Sequence, residues 1–286
     1  MVVKLNLTLP VEPAREPQAQ LPIHQKTNKI FESYKMGELL DHIASDQKTK
    51  YVLLDIDNTL TAPLDQEIGS AQWRKYIKEK ASEEGYTPDE AEELLDQLWY
   101  YVMPQIRVRL VDEQARLILQ LQPSIPVLGF TAREYKEVTH TEKQLESIDF
   151  SFANTHFEKE IELPLPHRGL YKNGIIYCGE NTKGQTLLAF FVATGKVPEE
   201  IDVVDDKREQ LTNAQKAAQE KDISFIGMHF RAEDQRVASF NGAIADLQLE
   251  MLPKLVSDAE ARSILASNPR PRLNLRDFLK RLGKTI

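Results

Sequence analysis

The sequence lacks several features that would assign it to a specialised class of protein. It has one cysteine, Cys178, which excludes an intramolecular disulfide framework and is typical of a reducing compartment. No apolar run approaches the length of a membrane span, and the N-terminus has no apolar leader core. We therefore expect a cytoplasmic protein with no transmembrane segment, with export by a leaderless route as the open alternative.

The net charge and the composition further restrict the kind of protein that the sequence can encode. The formal net charge of -8 argues against a nucleic-acid partner. Hydrophobic residues make up 41% and charged residues 28% of the 286 positions, as in ordinary globular proteins. The chain is therefore long enough to bury a full core and to carry an insertion.

Apolar strand-like runs alternate with helical patterns along most of the chain. This order predicts an α/β fold with a Rossmann-like, mainly parallel sheet. A helix is predicted over 28–45. Strands are predicted at 51–56, 125–130, 149–153, 201–205 and 223–228.

The domain organisation follows from the spacing of these elements. About seventy residues separate the first two predicted strands, many more than a crossover needs, and the surplus predicts a helical cap insertion. The predicted divisions are an N-terminal strand or arm with a proline-rich tether at 1–27, an α/β core at 28–64 and 109–260, the helical insertion at 65–108, a hairpin flap at 164–179 with an Asn-Gly turn, and a basic tail with a short amphipathic helix at 261–286.

The helical insertion carries a stretch that is rich in acids and a cluster of aromatic residues. If the acids faced a site, they would favour basic substrates, whereas the alternative that we favour is a solvated helix face. The aromatic residues could stack on a substrate ring or pack in the core. The acids are Glu83, Glu84, Asp89, Glu90, Glu92, Glu93 and Asp96, and the aromatics are Trp99, Tyr100 and Tyr101.

The most informative motif is Asp55-Ile-Asp57-Asn-Thr, which follows an apolar, strand-like run. Residues at i and i+2 of a strand point the same way, so both carboxylates are expected at one edge of the sheet. Neighbouring acids repel each other unless a cation or a shared proton lies between them. Hard cations such as Mg²⁺ take oxygen ligands and can also bind phosphate, which predicts metal-assisted phosphoryl chemistry.

Three further segments carry polar residues at strand or helix ends. Thr131 ends an apolar strand, where it could donate to a phosphate oxygen or cap the next helix. Lys183 begins a helix against the helix dipole, which an anionic ligand would explain, although a surface lysine is the simpler alternative. Asp205 and Asp206 end a buried-type strand as either a metal site or a helix cap.

Taken in order, the four segments resemble the motifs of the haloacid-dehalogenase-like (HAD) superfamily over about residues 48–230. Its pattern is Asp-x-Asp-x-Thr, a strand ending in Ser or Thr, a Lys, and a strand ending in Asp-Asp or Gly-Asp. The residues that fill these motifs are similar to those of a poorly characterised bacterial branch of the superfamily. The sequence departs from the pattern at one point, because Gln210 and Leu211 stand where the family often has another Asp or Asn.

The resemblance implies an enzyme, a Mg²⁺-dependent phosphatase. Asp55 would be the nucleophile and form an aspartyl-phosphate, and Asp57 would be the general acid and base. Thr131 and Lys183 would bind the phosphoryl oxygens. The Mg²⁺ would be held by the Asp55 carboxylate, the Asp57 carbonyl and Asp206, with Asp205 nearby and Gln210 available to hold a metal-bound water.

The partner implied is a phosphorylated substrate, either a phosphotyrosine peptide or a small metabolite. A phosphotransferase, or a binding protein on the same fold without strong catalysis, is the alternative. The tail from Ala261 onward has seven Lys or Arg and one acid. It could touch an anionic surface, although docking on its own acidic domain is the alternative that we favour.

Overall fold

The computed structural model describes residues 26–43, 49–270 and 272–283. The predicted N-terminal arm lies almost wholly outside the described residues. The strands are β1 Asn28–Ser33, β2 Lys50–Leu54, β3 Thr61–Pro63, β4 Val108–Leu110, β5 Val127–Thr131, β6 Glu160–Leu163, β7 Gly169–Lys172, β8 Ile175–Tyr177, β9 Glu200–Asp205 and β10 Ser224–Phe230.

Helices connect most of these strands. They are α1 Leu40–Ile43, α2 Ala71–Glu83, α3 Pro88–Val102, α4 Ala115–Leu119, α5 Val138–Glu146, α6 Lys183–Thr194, α7 Arg208–Glu220, α8 Asp234–Ala238, α9 Gly242–Met251, α10 Asp258–Ser267 and α11 Leu275–Arg281. Short 3₁₀ turns lie at Met36–Leu39, Met103–Gln105 and Tyr135–Glu137.

The central sheet has eight strands in the order β1-β10-β9-β2-β5-β8-β7-β6. The strands from β1 to β8 in this order pair in parallel, and β7 and β6 add an antiparallel edge. This confirms the predicted α/β class with a mostly parallel sheet, and it is consistent with a Rossmann-like fold. Strands β3 and β4 form a separate antiparallel pair.

Alternating side chains of the central strands enter two separate cores. Val52 and Leu54 of β2 lie in one cluster, whereas Tyr51 and Leu53 lie in the other. Since alternate strand residues point to opposite faces, the sheet is covered by packed layers on both sides. A strand buried on both faces reads as a continuous apolar run, which is why the sequence revealed β2.

The predicted helix over 28–45 is wrong in its first half, where β1 forms. Ile30 packs against one core cluster and Phe31 against the other, so the two apolar side chains point to opposite faces of the sheet. Every residue of β1 pairs in parallel with β10, from Asn28 with Phe225 to Ser33 with Phe230. Pairing along the sheet edge therefore outweighs the local helical spacing.

The predicted strand at 149–153 is also wrong, because this segment is a loop. Asp149 has a φ of 51° and Phe150 and Phe152 are buried without strand pairing. The position beside β5 is taken instead by β8. The Asn173-Gly174 hairpin is present, but its two strands belong to the central sheet and do not form a flap over it.

The helical insertion, residues 65–108, contains α2 and α3 between the paired strands β3 and β4. Helix α3 begins with the capping box expected from the sequence, in which Thr87 and Glu90 bond each other's backbone, and Pro88 is its first residue. The apolar faces of both helices share a third core cluster with residues of α9 and α11, including Leu249 and Phe278. This layer therefore combines the insertion with the C-terminal helices.

The C-terminal helix docks on the acidic end of the helical insertion. The backbone N–H of Leu275 donates to the carboxylate of Glu84 at 2.9 Å, and Arg272 pairs with Glu83 at 2.5 Å. Leu275 and Phe278 are buried in the third cluster. Of the two alternatives for the tail, the structure shows docking on the chain's own acidic surface.

Candidate active site

Three neighbouring strands of the sheet end at the site. Asp55 directly follows β2, Thr131 is the last residue of β5, and Asp205 is the last residue of β9. Strand β2 lies between the other two, and all three run in parallel. Their carboxyl ends therefore meet at one sheet edge, where open α/β sheets keep their ligand sites.

Lys183 links two of these strand ends. Its Nζ donates to Asp55 Oδ1 at 2.7 Å and to Asp205 Oδ2 at 2.5 Å, and its side chain is only 2% exposed. Thr182 caps the helix, so Lys183 begins α6 with its ammonium directed at the carboxylates. The surface-lysine alternative is therefore excluded, because buried acidic partners explain the placement at a helix start.

The carboxylates of Asp55, Asp205 and Asp206 form a compact cluster. One oxygen from each lies within 4.8 Å of the others, a geometry that could hold a metal ion. Burial raises the pKa of Asp55 to about 8, against the attraction of Lys183, and the charge of Asp205 adds to the rise. Burial and the charge of Asp205 raise the pKa of Asp206 to about 6. A cluster with one ammonium and three acids is thus electrostatically suited to a divalent cation.

Gln210 lies in the same cavity as the carboxylate cluster. Its side chain lines the cavity, and its Oε1 is buried without a hydrogen-bond partner among the described residues. A buried acceptor left unpaired is costly. The fit to Mg²⁺ rests on the carboxylate donor set, and the predicted role of Gln210 in holding a metal-bound water remains a prediction.

Asp57 is held by an arginine to which the sequence analysis gave no role. Arg133 donates through Nε to Asp57 Oδ2 at 3.0 Å and through Nη2 to Oδ1 at 2.8 Å. Arg133 is itself fixed by Thr141 and Gln144 at 2.9 and 2.8 Å. Although burial acts in the opposite direction, the charge and hydrogen bonds of Arg133 hold the pKa of Asp57 below its ordinary value. The signal in the sequence was the position of Arg133, two residues after Thr131 at the same strand end.

The two residues that follow Asp57 position Asp206. Asn58 has a φ of 60° and donates through Nδ2 to Asp206 Oδ2 at 3.3 Å. Arg236 donates to the amide oxygen of Asn58 at 2.5 Å. The backbone N–H of Asp206 donates to the hydroxyl of Thr59 at 3.0 Å. Thr59 of the first motif therefore joins the two strand ends.

Thr131 lies beneath the cavity surface and does not line the cavity, where a contact with phosphate was predicted. It is fully buried, and its hydroxyl accepts the backbone N–H of Arg133 at 3.1 Å. The residues that line the cavity at this strand end are Ala132 and Arg133. In this structure the hydroxyl of Thr131 thus shapes the turn that presents Arg133, and its predicted contact with phosphate remains a prediction.

A cavity of about 450 Å³ lies between these strand ends and the helical insertion. The acidic stretch of the insertion lies elsewhere, with Glu92, Glu93 and Asp96 exposed to solvent. None of the seven acids lines the cavity, so the acidic stretch does not form its wall. Its α3 part is a solvated face, whereas Glu83 and Glu84 bind the C-terminal segment. The residues that line the cavity are Asp55, Asp57, Asn58, Gly69, Ala71, Arg74, Lys75, Lys78, Trp99, Ala132, Arg133, Lys183, Asp205, Asp206, Lys207 and Gln210.

The aromatic cluster of the insertion has mainly a packing role. Tyr101 packs on Phe278 with ring centroids 6.4 Å apart, and Tyr100 is partly exposed away from the lining. Trp99 alone of the three lines the cavity, and its Nε1 donates to the buried carboxylate of Glu137. This bond connects the insertion to the turn that follows β5.

Mg²⁺ is expected to raise the melting temperature, with a larger effect at pH 8 than at pH 5. Because the folded-state pKa values of Asp55 and Asp206 exceed the ordinary 3.8, their contribution to folding stability is full below about pH 3.8. It is lost as the pH rises through about 6 and about 8, where the ionised acids repel each other. A cation at the cluster offsets this loss, by about 2.7 kcal/mol at a hundredfold excess over its Kd.

Thermal scans with MgCl₂ or EDTA at several pH values measure the effect. Asp206→Asn should remove most of the Mg²⁺ response, whereas Asp96→Asn on the exposed face of α3 should keep it. An unchanged melting temperature with Mg²⁺ at pH 8 would contradict a metal site at these carboxylates.

Comparison with known proteins places the chain among uncharacterised relatives. Residues 32–262 match the profile of the family described as "Protein of unknown function (DUF2608)". A protein of Chlamydia pneumoniae is 23% identical over 83% of this chain and 90% of its own length. Proteins of Chlamydia trachomatis and Chlamydia muridarum are 23% and 22% identical over 85% of this chain and 92% of their lengths. No solved structure matches.

The three relatives are each named "Putative outer membrane protein". These names contradict the cytoplasmic location predicted from the sequence, and that prediction is wrong by this comparison. It rested on the lack of an apolar leader and on a single cysteine, neither of which reports on export by other routes. Across residues 26–43, 49–270 and 272–283, no helix is both long enough and apolar enough to cross a membrane.

Proposed function

Because the chain belongs to the DUF2608 family, whose description assigns no activity, we propose its function from the site: a Mg²⁺-dependent phosphomonoester hydrolase of the HAD-like kind. One observation carries the proposal. The acidic ends of β2 and β9 converge within 4.8 Å, and the buried ammonium of Lys183 bridges two of the three carboxylates. This arrangement supports phosphoryl transfer to Asp55.

In the first step, an Asp55 oxygen attacks the phosphorus of the substrate. Oδ1 is bound by Lys183, while Oδ2 has no hydrogen bond among the described residues and is the oxygen available for attack. The new Oδ2–P bond forms as the ester P–O bond breaks, and the leaving oxygen takes a proton from Asp57. The dianionic phosphate beside Asp57 raises its pKa, which allows a carboxyl paired with Arg133 to hold that proton.

In the second step, water attacks the phosphorus of the aspartyl-phosphate. Asp57, now ionised and favoured in that form by Arg133, accepts the proton of the water. The Oδ2–P bond breaks, which releases inorganic phosphate and restores the Asp55 carboxylate. Arg133 therefore keeps Asp57 oriented between the two steps.

Charge neutralisation supplies most of the expected rate enhancement. Asp55, Asp206 and the backbone carbonyl of Asp57 would hold the Mg²⁺, with Asp205 and Gln210 lining the same cavity. When bound, this ion supplies positive charge for the phosphoryl oxygens. Lys183 supplies a fixed positive charge from the protein side.

The helical insertion is proposed as the cap that selects the substrate, because α2 and Trp99 form one wall of the cavity. A phosphotyrosine peptide and a small phosphorylated metabolite are both compatible with the reacting groups. Transfer of the phosphoryl group to an acceptor alcohol in place of water would use the same intermediate.

The test is phosphate release from a panel of phosphomonoesters by the purified chain, with MgCl₂ and with EDTA. We expect turnover that requires Mg²⁺ and is absent in Asp55→Asn. Added glycerol separates hydrolysis from phosphotransfer, since transfer yields glycerol phosphate. If no substrate is turned over with Mg²⁺, although calorimetry shows that phosphomonoesters bind, the chain is a binding protein and the proposal is wrong.

A further inference from the structure

The wall of the cavity that faces the carboxylates is cationic. Helix α2 contributes Arg74, Lys75 and Lys78 to this wall, and it contributes no acid to the lining. The acids of the lining all come from the strand ends on the opposite side, at Asp55, Asp57, Asp205 and Asp206. A chain with a net charge of -8 thus places three cations together above its reacting groups.

Arg74 differs from its two neighbours in forming no ion pair among the described residues, although its charge acts on the Asp57 carboxylate. Lys78 pairs with Glu92, and Lys75 lies 3.7 Å from Glu79. Within the described ranges, no carboxylate lies within 4.0 Å of the Arg74 guanidinium. Its donors therefore face the cavity unused, on a side chain that is half-buried.

The guanidinium is held in place by the aromatic wall. Its carbon lies 4.8 Å from the centre of the Trp99 ring, and the Trp99 indole is anchored by its hydrogen bond to Glu137. Stacking of this kind orients the planar fork and lowers the entropy lost when it binds an anion. A stacked, partly desolvated arginine without an acid is a typical receptor for a carboxylate or a phosphate.

We propose that Arg74 binds a second anionic group of the substrate, located on the part that leaves when the phosphoryl group is transferred. The inference rests on the proposed function and names its substrate class: phosphomonoesters whose alcohol carries a carboxylate or a second phosphate. One phosphate would lie at Asp55 and Lys183, and the second anion would lie across the cavity of about 450 Å³ at Arg74.

The same wall disfavours other leaving groups. An apolar alcohol leaves the Arg74 donors unpaired, and a cationic alcohol is repelled by Arg74, whose charge no ion pair offsets among the described residues. This preference is opposite to the one that an inward-facing acidic insertion would have produced. Basic phosphopeptides are therefore poor candidates, and small dianionic or trianionic metabolites are better ones.

Matched aryl phosphates test the inference. The probes are phenyl phosphate, 4-carboxyphenyl phosphate and 1,4-phenylene bisphosphate, compared by kcat/KM with saturating Mg²⁺. We expect one or both anionic probes to exceed phenyl phosphate by about 10- to 100-fold, the range of a charge-assisted hydrogen bond. Comparing the carboxylate with the bisphosphate identifies which anion the site prefers.

Variants assign the preference to Arg74. In Arg74→Gln the ratio of anionic to neutral probe should fall to about one, and Arg74→Lys should give an intermediate ratio because it keeps charge without the planar fork. Arg262→Gln, which removes an exposed arginine of α10, should leave the ratio as in the wild type. A ratio near one in the wild type, or one that Arg74→Gln leaves unchanged, overturns the inference while the proposed function stands.

Complete lack of turnover has a separate meaning. It would contradict the proposed function, and calorimetry of the three probes with the Asp55→Asn chain would then decide the inference alone. The inference is supported if an anionic probe binds the Asp55→Asn chain more tightly than phenyl phosphate does, and if this difference disappears when Arg74→Gln is added. Equal binding of all three probes to the Asp55→Asn chain overturns the inference.

Discussion

Replacing Asp55 with Asn is expected to lower metal-dependent phosphate release by about 10⁴-fold or more, as for other nucleophiles that form covalent intermediates. The amide oxygen is a poor nucleophile, so neither the aspartyl-phosphate nor the water attack that follows can occur. The amide is nearly the same size as the carboxylate, so the buried packing around Lys183 is kept. The measurement is kcat with the best substrate of the panel, alongside circular dichroism and a melting curve.

Two variants make this result specific. Asp96→Asn is the same chemical change at an exposed position of α3 and should retain wild-type turnover. Asp57→Asn should lose less, about 10²- to 10⁴-fold, since it removes only proton transfer. If Asp55→Asn folds and keeps more than about 1% of the turnover, the nucleophile is another group and the mechanism is wrong.

The sequence predicted the centre of the site because strand geometry is local. Two acids at i and i+2 after a buried strand must share a side, and the parallel order of strands brings their ends together. Asp55 and Asp205 could therefore be assigned to one edge without knowledge of the packing. Lys183 was identifiable because its position opposed the helix dipole.

The edges of the sheet were not predictable in the same way. The β1 segment has apolar residues at helical spacing, and only its pairing with β10 and its division between two cores make it a strand. The segment 149–153 has strand-like composition, but β8 occupies the position that it would need beside β5. Both outcomes depend on partners far away in the chain.

The residues that surround the site could not be predicted without the tertiary structure. Arg133 follows Thr131 by two residues, so its direction could have been inferred from the strand end, but its bidentate bond to Asp57 could not. Arg74 lies on a helix with charges on several faces, and periodicity alone does not say which face meets the cavity. The acidic stretch of α3 was the more conspicuous sequence feature, yet it is the face in solvent.

Replacing Lys183 with Met is expected to reduce stability and activity together. The change leaves Asp55 and Asp205 buried without their shared ammonium, which costs about 3–5 kcal/mol of unfolding free energy when one partner of a buried pair is removed. Turnover should fall by at least about 10²- to 10³-fold, as for the loss of one fixed transition-state charge. Urea unfolding at neutral pH and kcat at low temperature measure the two effects.

A second buried lysine, Lys80, serves as a control that distinguishes the stability lost with a buried ion pair from the proposed role of Lys183 in phosphoryl transfer. Lys80 lies 2.6 Å from Asp246 with 2% side-chain exposure, away from the cavity lining. Lys80→Met should therefore lose comparable stability and keep its turnover per folded molecule. Wild-type turnover per folded molecule in Lys183→Met would contradict the proposed role.

The double variant Lys183→Met with Asp205→Asn tests whether the Lys183 ammonium serves only to balance the charge of Asp205. Removing both charges of a buried pair is often nearly neutral for stability, whereas removing one is not. The double variant should therefore recover the part of the lost unfolding free energy that comes from the unpaired Asp205, while Asp55 stays buried without its ammonium. Because Lys183 is still absent, the double variant should recover none of the lost turnover. Recovery of both quantities would mean that the ammonium serves only to balance Asp205, and that the phosphoryl group is stabilised by other charges in the cavity.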